Sequence, residues 1–251
     1  MDINNIHILD EFEKISLEAA IKINLNERFD EKFVIHISNL NPTLICFKDL
    51  FLVQSNHNKV MYNYETKYWD TPDLMFFKQH SSQRASRVKV RKRIYFDTNT
   101  CFLEIKRKLK GKTQKKRILS EYKPEFIKSD WDFLESNGIE SHSLKCLLNT
   151  NYKRIILWDK GMNGRITLDL DLNCSHDKKE FIYENICIIE IKGSKSFINK
   201  MIRTFPYPLS RFRSSFSKYC IGMLSTYPIQ KNEGKELFQI FNNVKKINNK
   251  P

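Results

Sequence analysis

The chain has 251 residues, 43 Lys and Arg against 29 Asp and Glu, and a formal net charge of +14 at pH 7. With 41% hydrophobic and 12% aromatic residues it is predicted to be globular with a substantial core. No stretch approaches the roughly 18 apolar residues of a membrane span, and no secretory signal is present, which predicts a cytoplasmic protein without a span of its own.

The first 24 residues read as a helical arm, with Ile6, Leu9, Phe12 and Ile15 at helical spacing. Residues 28–37 then alternate as a strand, with Arg28, Asp30 and Lys32 on one face and Phe29 and Phe33 on the other. A short helix over 40–50 leads to strands near 50–54 and 60–70. Thr71-Pro72-Asp73 predicts a helix start with Thr71 as cap and Pro72 in the first position. Strands at 84–96, 101–110 and 114–121 follow as a meander through a turn at Gly111. A helix begins at Ser129-Asp130-Trp131-Asp132, with an acid at the capping-box position, and ends at Asn137-Gly138. Strands at 147–158, 163–173 and 186–193 come next, then helices near 195–204 and 215–224. The polar tail 245–251 is expected to fray. No repeat or linker divides the chain, so residues 1–251 are expected to form a single domain with its core at about 26–225. About eight strands, mostly in hairpins, predict an α+β fold: an antiparallel eight-stranded β-barrel with flanking helices outside it.

The charge is concentrated. Residues 84–118 hold fourteen Lys and Arg against two acids, Asp97 and Glu104. In Arg87–Tyr95 the odd positions are cationic or aromatic, and the even ones are apolar except Lys92. Two such neighbouring strands would align cations about 5 Å apart, where like charges repel. A fold tolerates that when something strongly anionic sits among them, and the pattern points to a phosphate chain. Other strands repeat the logic. Arg165, Thr167, Asp169 and Asp171 alternate with Ile166, Leu168, Leu170 and Leu172; Tyr152 shares a face with Arg154, Lys115 with Arg117, and Glu190 with Lys192. Taken singly, each strand reads as a solvated face. Taken together, they favour a closed sheet with a charged interior, which marks a binding site. Two readings stay open for Glu104 and Glu190: pairing with neighbouring lysines, or holding a divalent cation together with phosphate oxygens.

Competing chemistries lack their motifs. Six cysteines without CxxC spacing predict reduced thiols, and six histidines without HxH, HxxxH or HExxH spacing speak against zinc. Gly111-Lys112-Thr113 resembles the end of a P-loop, but Lys106 occupies the earlier glycine position. There is no GxGxxG and no GxSxG, and RNA- and DNA-reading signatures are missing.

The string Arg28-Phe-Asp30-Glu-Lys32-Phe resembles a divergent ExExK signature of the triphosphate tunnel metalloenzymes. Tyr68-Trp69-Asp70-Thr71-Pro72-Asp73, Arg91-Lys-Arg93-Ile-Tyr95, Phe102-Leu-Glu104-Ile-Lys106 and Phe216-Ser217-Lys218-Tyr219 are similar, in order, to motifs of the VTC domain, over residues 26–225. The resemblance implies an inorganic polyphosphate polymerase that transfers the ATP γ-phosphate to a growing chain inside a tunnel. It implies phosphate-binding roles for Arg28, Lys32, Lys89, Arg91, Arg93 and Lys106, and for Lys108, Lys115, Arg117, Arg154 and Arg165. Lys218 and Ser217 would sit at the acceptor phosphate, with Tyr95 and Tyr68 near the nucleotide. Glu190, with Glu104, would carry Mn²⁺ or Mg²⁺. Arg28 stands where related hydrolases have the first Glu of ExExK, which tilts the expectation from hydrolysis to transfer. The other readings are a tunnel triphosphatase or polyphosphatase, and a non-catalytic polyphosphate or nucleic-acid binding module. ATP and polyphosphate are the implied partners, and a membrane partner encoded elsewhere is compatible with the resemblance.

Overall fold

The computed structural model describes residues 6–25, 29–110, 112–123, 125–230 and 234–250. The N-terminal segment is not one helical arm. A 3-10 turn (His7–Glu11) precedes β1 (Lys14–Ser16) and the short α1 (Leu17–Lys22), whose N-cap Ser16 accepts from Ala19 N–H at 3.2 Å. There follow β2 (Phe29–His36), α2 (Leu40–Phe47), β3 (Phe51–Ser55) and β4 (Met61–Asp70). Next come α3 (Met75–Ser81), β5 (Arg87–Tyr95), β6 (Thr100–Leu109), β7 (Lys112–Ser120) and α4 (Lys128–Ser136). The rest of the sheet is β8 (Lys145–Asp159), β9 (Gly164–His176), β10 (Lys179–Tyr183) and β11 (Ile186–Gly193). Helices α5 (Lys195–Thr204), α6 (Lys218–Thr226) and α7 (Lys235–Asn248) complete the chain. The tail expected to fray begins inside α7, whose apolar Leu237 and Val244 are buried against the rest of the protein.

The strands form one 11-stranded sheet in the order β2-β11-β9-β8-β4-β5-β6-β7, with β1, β3 and β10 attached off that path. Every pairing is antiparallel except β1 with β3. The expected eight-stranded barrel is not closed: among the described residues β2 and β7 do not pair. The edge of β2 is instead occupied by a passing segment, where Phe33 bridges Arg213 and Ser214 N–H donates to Lys32 O at 2.9 Å. The path is nevertheless strongly curled. Lys106 on β6 lies in the electrostatic field of Asp30, Lys32 and Glu190 on β2 and β11, at the far end of the strand order.

Apolar residues cover the convex side in two blocks. Phe33, Ile35, Ile155, Leu157, Ile166, Leu168, Ile189 and Ile191 pack against α2 and α5 through Leu40, Leu44, Phe197 and Met201. Val88, Val90, Leu103 and Ile105 pack with Leu134 of α4 and with Phe126, which precedes that helix. The strict alternation of these strands is what sorts apolar side chains outward and charges inward. It breaks at Asp171, where φ is +50° beside the irregular pairing of Asn151–Lys153. Leu170 therefore faces the convex core while Leu172 joins the concave cluster, and Asp171 pairs with Lys153 at 3.0 Å instead of sharing the face of Asp169.

One helix departs from the expected arrangement. α6 does not lie outside the sheet. Tyr219, Cys220, Ile221 and Met223 pack with Val34, Leu148, Leu172, Cys174, Ile186 and Ile188, which lie on the concave side. A Cβ on Gly222 would come within 2.7 Å of Leu148, so the helix seats flush on the strands. α3 also differs from expectation: Thr71 and Pro72 precede it, Leu74 adopts φ +62°, and Asp70 accepts the Phe76 and Phe77 N–H groups, both at 2.8 Å. The same carboxylate accepts the Tyr219 hydroxyl, which ties α3 to α6.

Lys92, the exception in the β5 alternation, is 1% exposed on the convex side. Its ammonium lies 2.8 Å from Asp130 and 2.7 Å from Glu125 O. Asp130 also accepts from Ile127 N–H at 3.1 Å, so one buried acid caps α4 and latches it to the sheet. Removing one partner of a buried pair leaves an uncompensated charge, at a cost of about 3–5 kcal/mol. Asp130→Ala is therefore expected to lose about that much in urea unfolding, and Lys92→Met combined with Asp130→Asn to recover most of it. A loss within about 1 kcal/mol of wild type for the single variant would remove the latch from this account.

Candidate functional site

The concave face is built from rows set by strand register. Across β5, β6 and β7, Lys89 is opposite Lys106, and Lys106 opposite Lys115. Two residues along, Tyr68, Arg91, Glu104 and Arg117 form the next row, and then Thr66, Arg93 and Phe102. On the opposite wall Lys32 is paired with Glu190, and Lys192 with Arg165. The row of three lysines has no acid in register between its members. Burial, reinforced by Lys32, Lys106 and Arg91, pushes the Lys89 ammonium down to about 8. Lys106 is likewise lowered by burial and by Lys32, although its side chain still reaches solvent. A dense surround with access to water describes a wet cavity lined by cations.

Three carboxylates hold these cations in place. Glu104 is fully buried; Arg91 donates to its Oε2 through Nε and Nη2, each at 2.7 Å, and Lys115 pairs with Oε1. Burial works against the charge of Glu104, but Arg91, Arg93 and Lys115 outweigh it and hold the carboxyl at about 2. Asp169 accepts a two-pronged contact from Arg154, Nε at 2.5 Å and Nη2 at 2.8 Å, and pairs with Lys218. It too is held at about 2, burial being overcome by Arg154 and Lys218. Glu190 lies 3.2 Å from Lys192 and 4.0 Å from Lys32, and these lysines keep it ionised despite burial.

The N-terminus of α6 enters this cavity. Ser217 caps the helix by accepting Cys220 N–H at 3.3 Å, and its hydroxyl accepts from Lys89 Nζ at 2.8 Å. Lys218 follows, with its ammonium 4.4 Å from the Tyr152 ring centre, and the Arg154 guanidinium lies 5.3 Å from the same ring. A helix N-terminus carries partial positive charge, so α6 adds to the field of the side chains. The whole arrangement suits an extended, multiply charged anion.

The structure thus brings Lys32, Lys89, Arg91, Arg93, Lys106, Lys115, Arg154, Arg165, Glu104, Glu190, Ser217 and Lys218 to one face. Lys108 pairs with Arg87 towards the strand end, and Arg117 lies 4.5 Å over the Phe102 ring near the exposed edge. Arg28 lies outside the described residues. Tyr95 packs against Tyr64 and Phe102, at 5.1 and 5.9 Å between ring centres. Tyr68 differs from expectation: it is 2% exposed and stacked on Tyr219 at 5.1 Å, which leaves no face for a base. Sequence reasoning did not assign Asp169 or Lys192, although both were visible as inward members of their strands. It also missed Asp70 as the anchor of Tyr219, for which nothing local gives a signal.

A divalent cation would find a sparse donor set. Among the described residues no three His, Cys, Asp or Glu side chains converge. Glu104 does not fit as a ligand, because Arg91 and Lys115 already engage it. Glu190 fits better: both of its ion pairs run to Oε1, and it is ionised. One carboxylate completed by phosphate oxygens and water is an ordinary arrangement for Mg²⁺.

The model of the VTC domain family matches residues 27–227. The chain belongs to the VTC domain family. None of the curated proteins matches the chain. Among solved structures, this VTC domain is similar to a Bacillus halodurans protein described as an adenylate cyclase. The two share 13% identity, the match covers 75% of this chain and 92% of that one, and the TM-score is 0.51. It is also similar, at 13% identity and TM-score 0.50, to a Hippeastrum protein described as an adenylyl cyclase with dominant triphosphatase activity; 79% of this chain and 97% of that one are covered. At such identity these likenesses speak for the fold alone. No helix among the described residues is long and apolar enough to cross a membrane.

The lowered Lys89 gives a pH dependence with a definite sign. Its charge is present below about 8 and is lost as pH rises through that value. The ratio of wild-type to Lys89→Arg affinity for tripolyphosphate, measured metal-free by calorimetry, is expected to fall between pH 7.5 and about 9, because the arginine keeps its charge over that window. Parallel profiles for the two proteins would show that Lys89 does not contact the anion.

Proposed function

We propose that the protein is an inorganic polyphosphate polymerase, which moves the γ-phosphate of ATP onto the end of a polyphosphate chain held along the concave face. The observation that carries this reading is the row Lys89–Lys106–Lys115 facing Lys32 and the N-terminus of α6. Lysines can follow a moving phosphate as point charges, whereas Arg91, Arg93 and Arg154 offer forks that fix phosphoryl oxygens in place. The family assignment supports the same substrate class.

In this reading a terminal oxygen of the chain attacks the γ-phosphorus, and the bond to the β-phosphate oxygen breaks to leave ADP. Such a transfer asks for in-line placement and for stabilisation of spread negative charge. Two anions must first meet, and the cationic walls offset their repulsion. Lys218 is assigned to the acceptor end, where its ammonium lowers the charge barrier to approach. Its ion pair with Asp169 keeps it in position when no phosphate is bound. Ser217 is assigned to the same end through its hydroxyl and the cap it gives α6. Glu190 would hold Mn²⁺ or Mg²⁺, which supplies charge neutralisation on the transferred phosphoryl group.

A second reading, hydrolysis with water as acceptor, is favoured by the triphosphatase activity of the Hippeastrum protein. The two separate cleanly. Protein incubated with ATP and Mn²⁺ is expected to release ADP and build acid-insoluble phosphate polymer; ADP with orthophosphate alone would hand the assignment to hydrolysis. Lys218→Ala is expected to lower polymer synthesis about a hundredfold, the loss typical of removing one charge-stabilising donor. Glu190→Gln is expected to abolish metal-dependent turnover, and an unchanged metal titration would move the cation site elsewhere.

A further inference from the structure

From residue 191 to residue 230 the chain carries seven Lys and Arg and no Asp or Glu. Two of the seven, Lys192 and Lys218, point into the cavity. The others are on the outside, and α5 presents most of them. Phe197, Ile198 and Met201 bury one side of this helix, while Lys195, Ser196, Asn199, Lys200 and Arg203 are exposed. Arg211 continues the set in the turn that packs beside α5. None of Lys195, Lys200, Arg203 and Arg211 is within ion-pair distance of a carboxylate among the described residues.

The position of this face matters as much as its charge. α5 begins three residues after Lys192, at the end of the concave face away from the apolar body of α6. Its first turn is locked there: a Cβ on Gly193 would come within 2.6 Å of the Phe197 ring, and one on Gly164 would collide with the same ring. Beside it, Lys195 lies 4.9 Å over the ring of Phe29, which is 43% exposed at the end of β2. Cations therefore continue from Lys192, which Glu190 holds at the rim, to Lys195, Lys200 and Arg203, which have no carboxylate within ion-pair distance among the described residues. Lys195 to Arg203 spans about 12 Å at the helical rise.

We propose that this face is an external binding track for long polyphosphate, which guides the part of the chain that extends beyond the cavity. The proposal rests on the polyphosphate reading of the cavity and adds a second, chain-length-dependent site to it. A lipid surface is the poorer partner. An interfacial helix needs bulky apolar groups beside its cations, and the exposed positions of α5 are small, polar or charged. A flexible polyanion needs only a line of unpaired cations in continuity with the site that feeds it.

The test compares wild type with Lys195→Glu/Lys200→Glu/Arg203→Glu and with the triple alanine variant. Metal-free binding is measured for polyphosphate of about a hundred units, for tripolyphosphate, and for phosphatidylserine vesicles. Wild type is expected to bind the long chain more tightly than tripolyphosphate. The Glu variant is expected to lose about tenfold or more of long-chain affinity, with a flatter salt dependence, and the Ala variant a smaller share. Tripolyphosphate affinity and the initial rate on a short primer should be unchanged in both, which also shows that the variants fold. Equal long-chain affinity in wild type and the Glu variant would overturn the track, as would equal losses for long and short chains. Loss of vesicle binding alone would assign the face to a membrane and overturn it as well. Failure of wild type to make polymer would remove the polymerase reading, yet a long-chain preference lost in the variants would leave the track standing.

Discussion

Mutual repulsion of cations on one curled face is the constraint around which this protein is built. Two unit charges about 5 Å apart repel by about 3 kcal/mol at an effective dielectric near 20. The register of β5, β6 and β7 places Lys89, Lys106 and Lys115 in one such row, with Arg91 and Arg93 two and four residues further along. The fold offsets part of this with Glu104, Asp169 and Glu190, each shared between two cations. The lysine row has no such acid in register, and its cost shows as the depressed Lys89 and Lys106. In the proposed function, a polyanion bound on this face would relieve that cost, so part of the binding free energy would come from the repulsion it removes.

The same carboxylates preorganise the site. Long Lys and Arg side chains lose considerable rotamer freedom when a ligand fixes them. Here Arg91 and Arg154 are already fixed by two-pronged contacts, and Lys218 by Asp169. Lys89 is held by the Ser217 hydroxyl. In the proposed function, an incoming phosphate would find its partners aimed, at the price of competing with the resident acids.

Placement of α6 inside the curl is linked to the opening of the sheet. The segment leading to Ser217 runs along the edge of β2, where Phe33 bridges Arg213 and Lys32 O accepts from Ser214. It then crosses to the concave side, where Lys32 Nζ reaches Phe216 O at 3.5 Å. Pairing β2 with β7 would remove that route. The same segment that keeps the sheet open therefore delivers Ser217 and Lys218 to the lysine row, with Tyr219 anchored by Asp70 behind them.

The sequence by itself determined nine of the eleven strands and the faces they present, but not the short β1 and β10. Period-two alternation in Arg87–Tyr95, Thr100–Leu109 and Gly164–Asp169 is a local property, and it sorted cations from branched apolar residues before any contact was known. It also made the charged face of these strands legible as a site. Three features were decided only by tertiary structure. The open path of the sheet depends on a segment more than 170 residues away from β2 in sequence. The turn of Asp171 out of the face of Asp169 depends on the irregular pairing with β8. The burial of Tyr68 depends on Tyr219 and Asp70, which approach from two other elements. Periodicity carries the direction of a side chain relative to its own strand; it carries nothing about what a distant element will lay upon it.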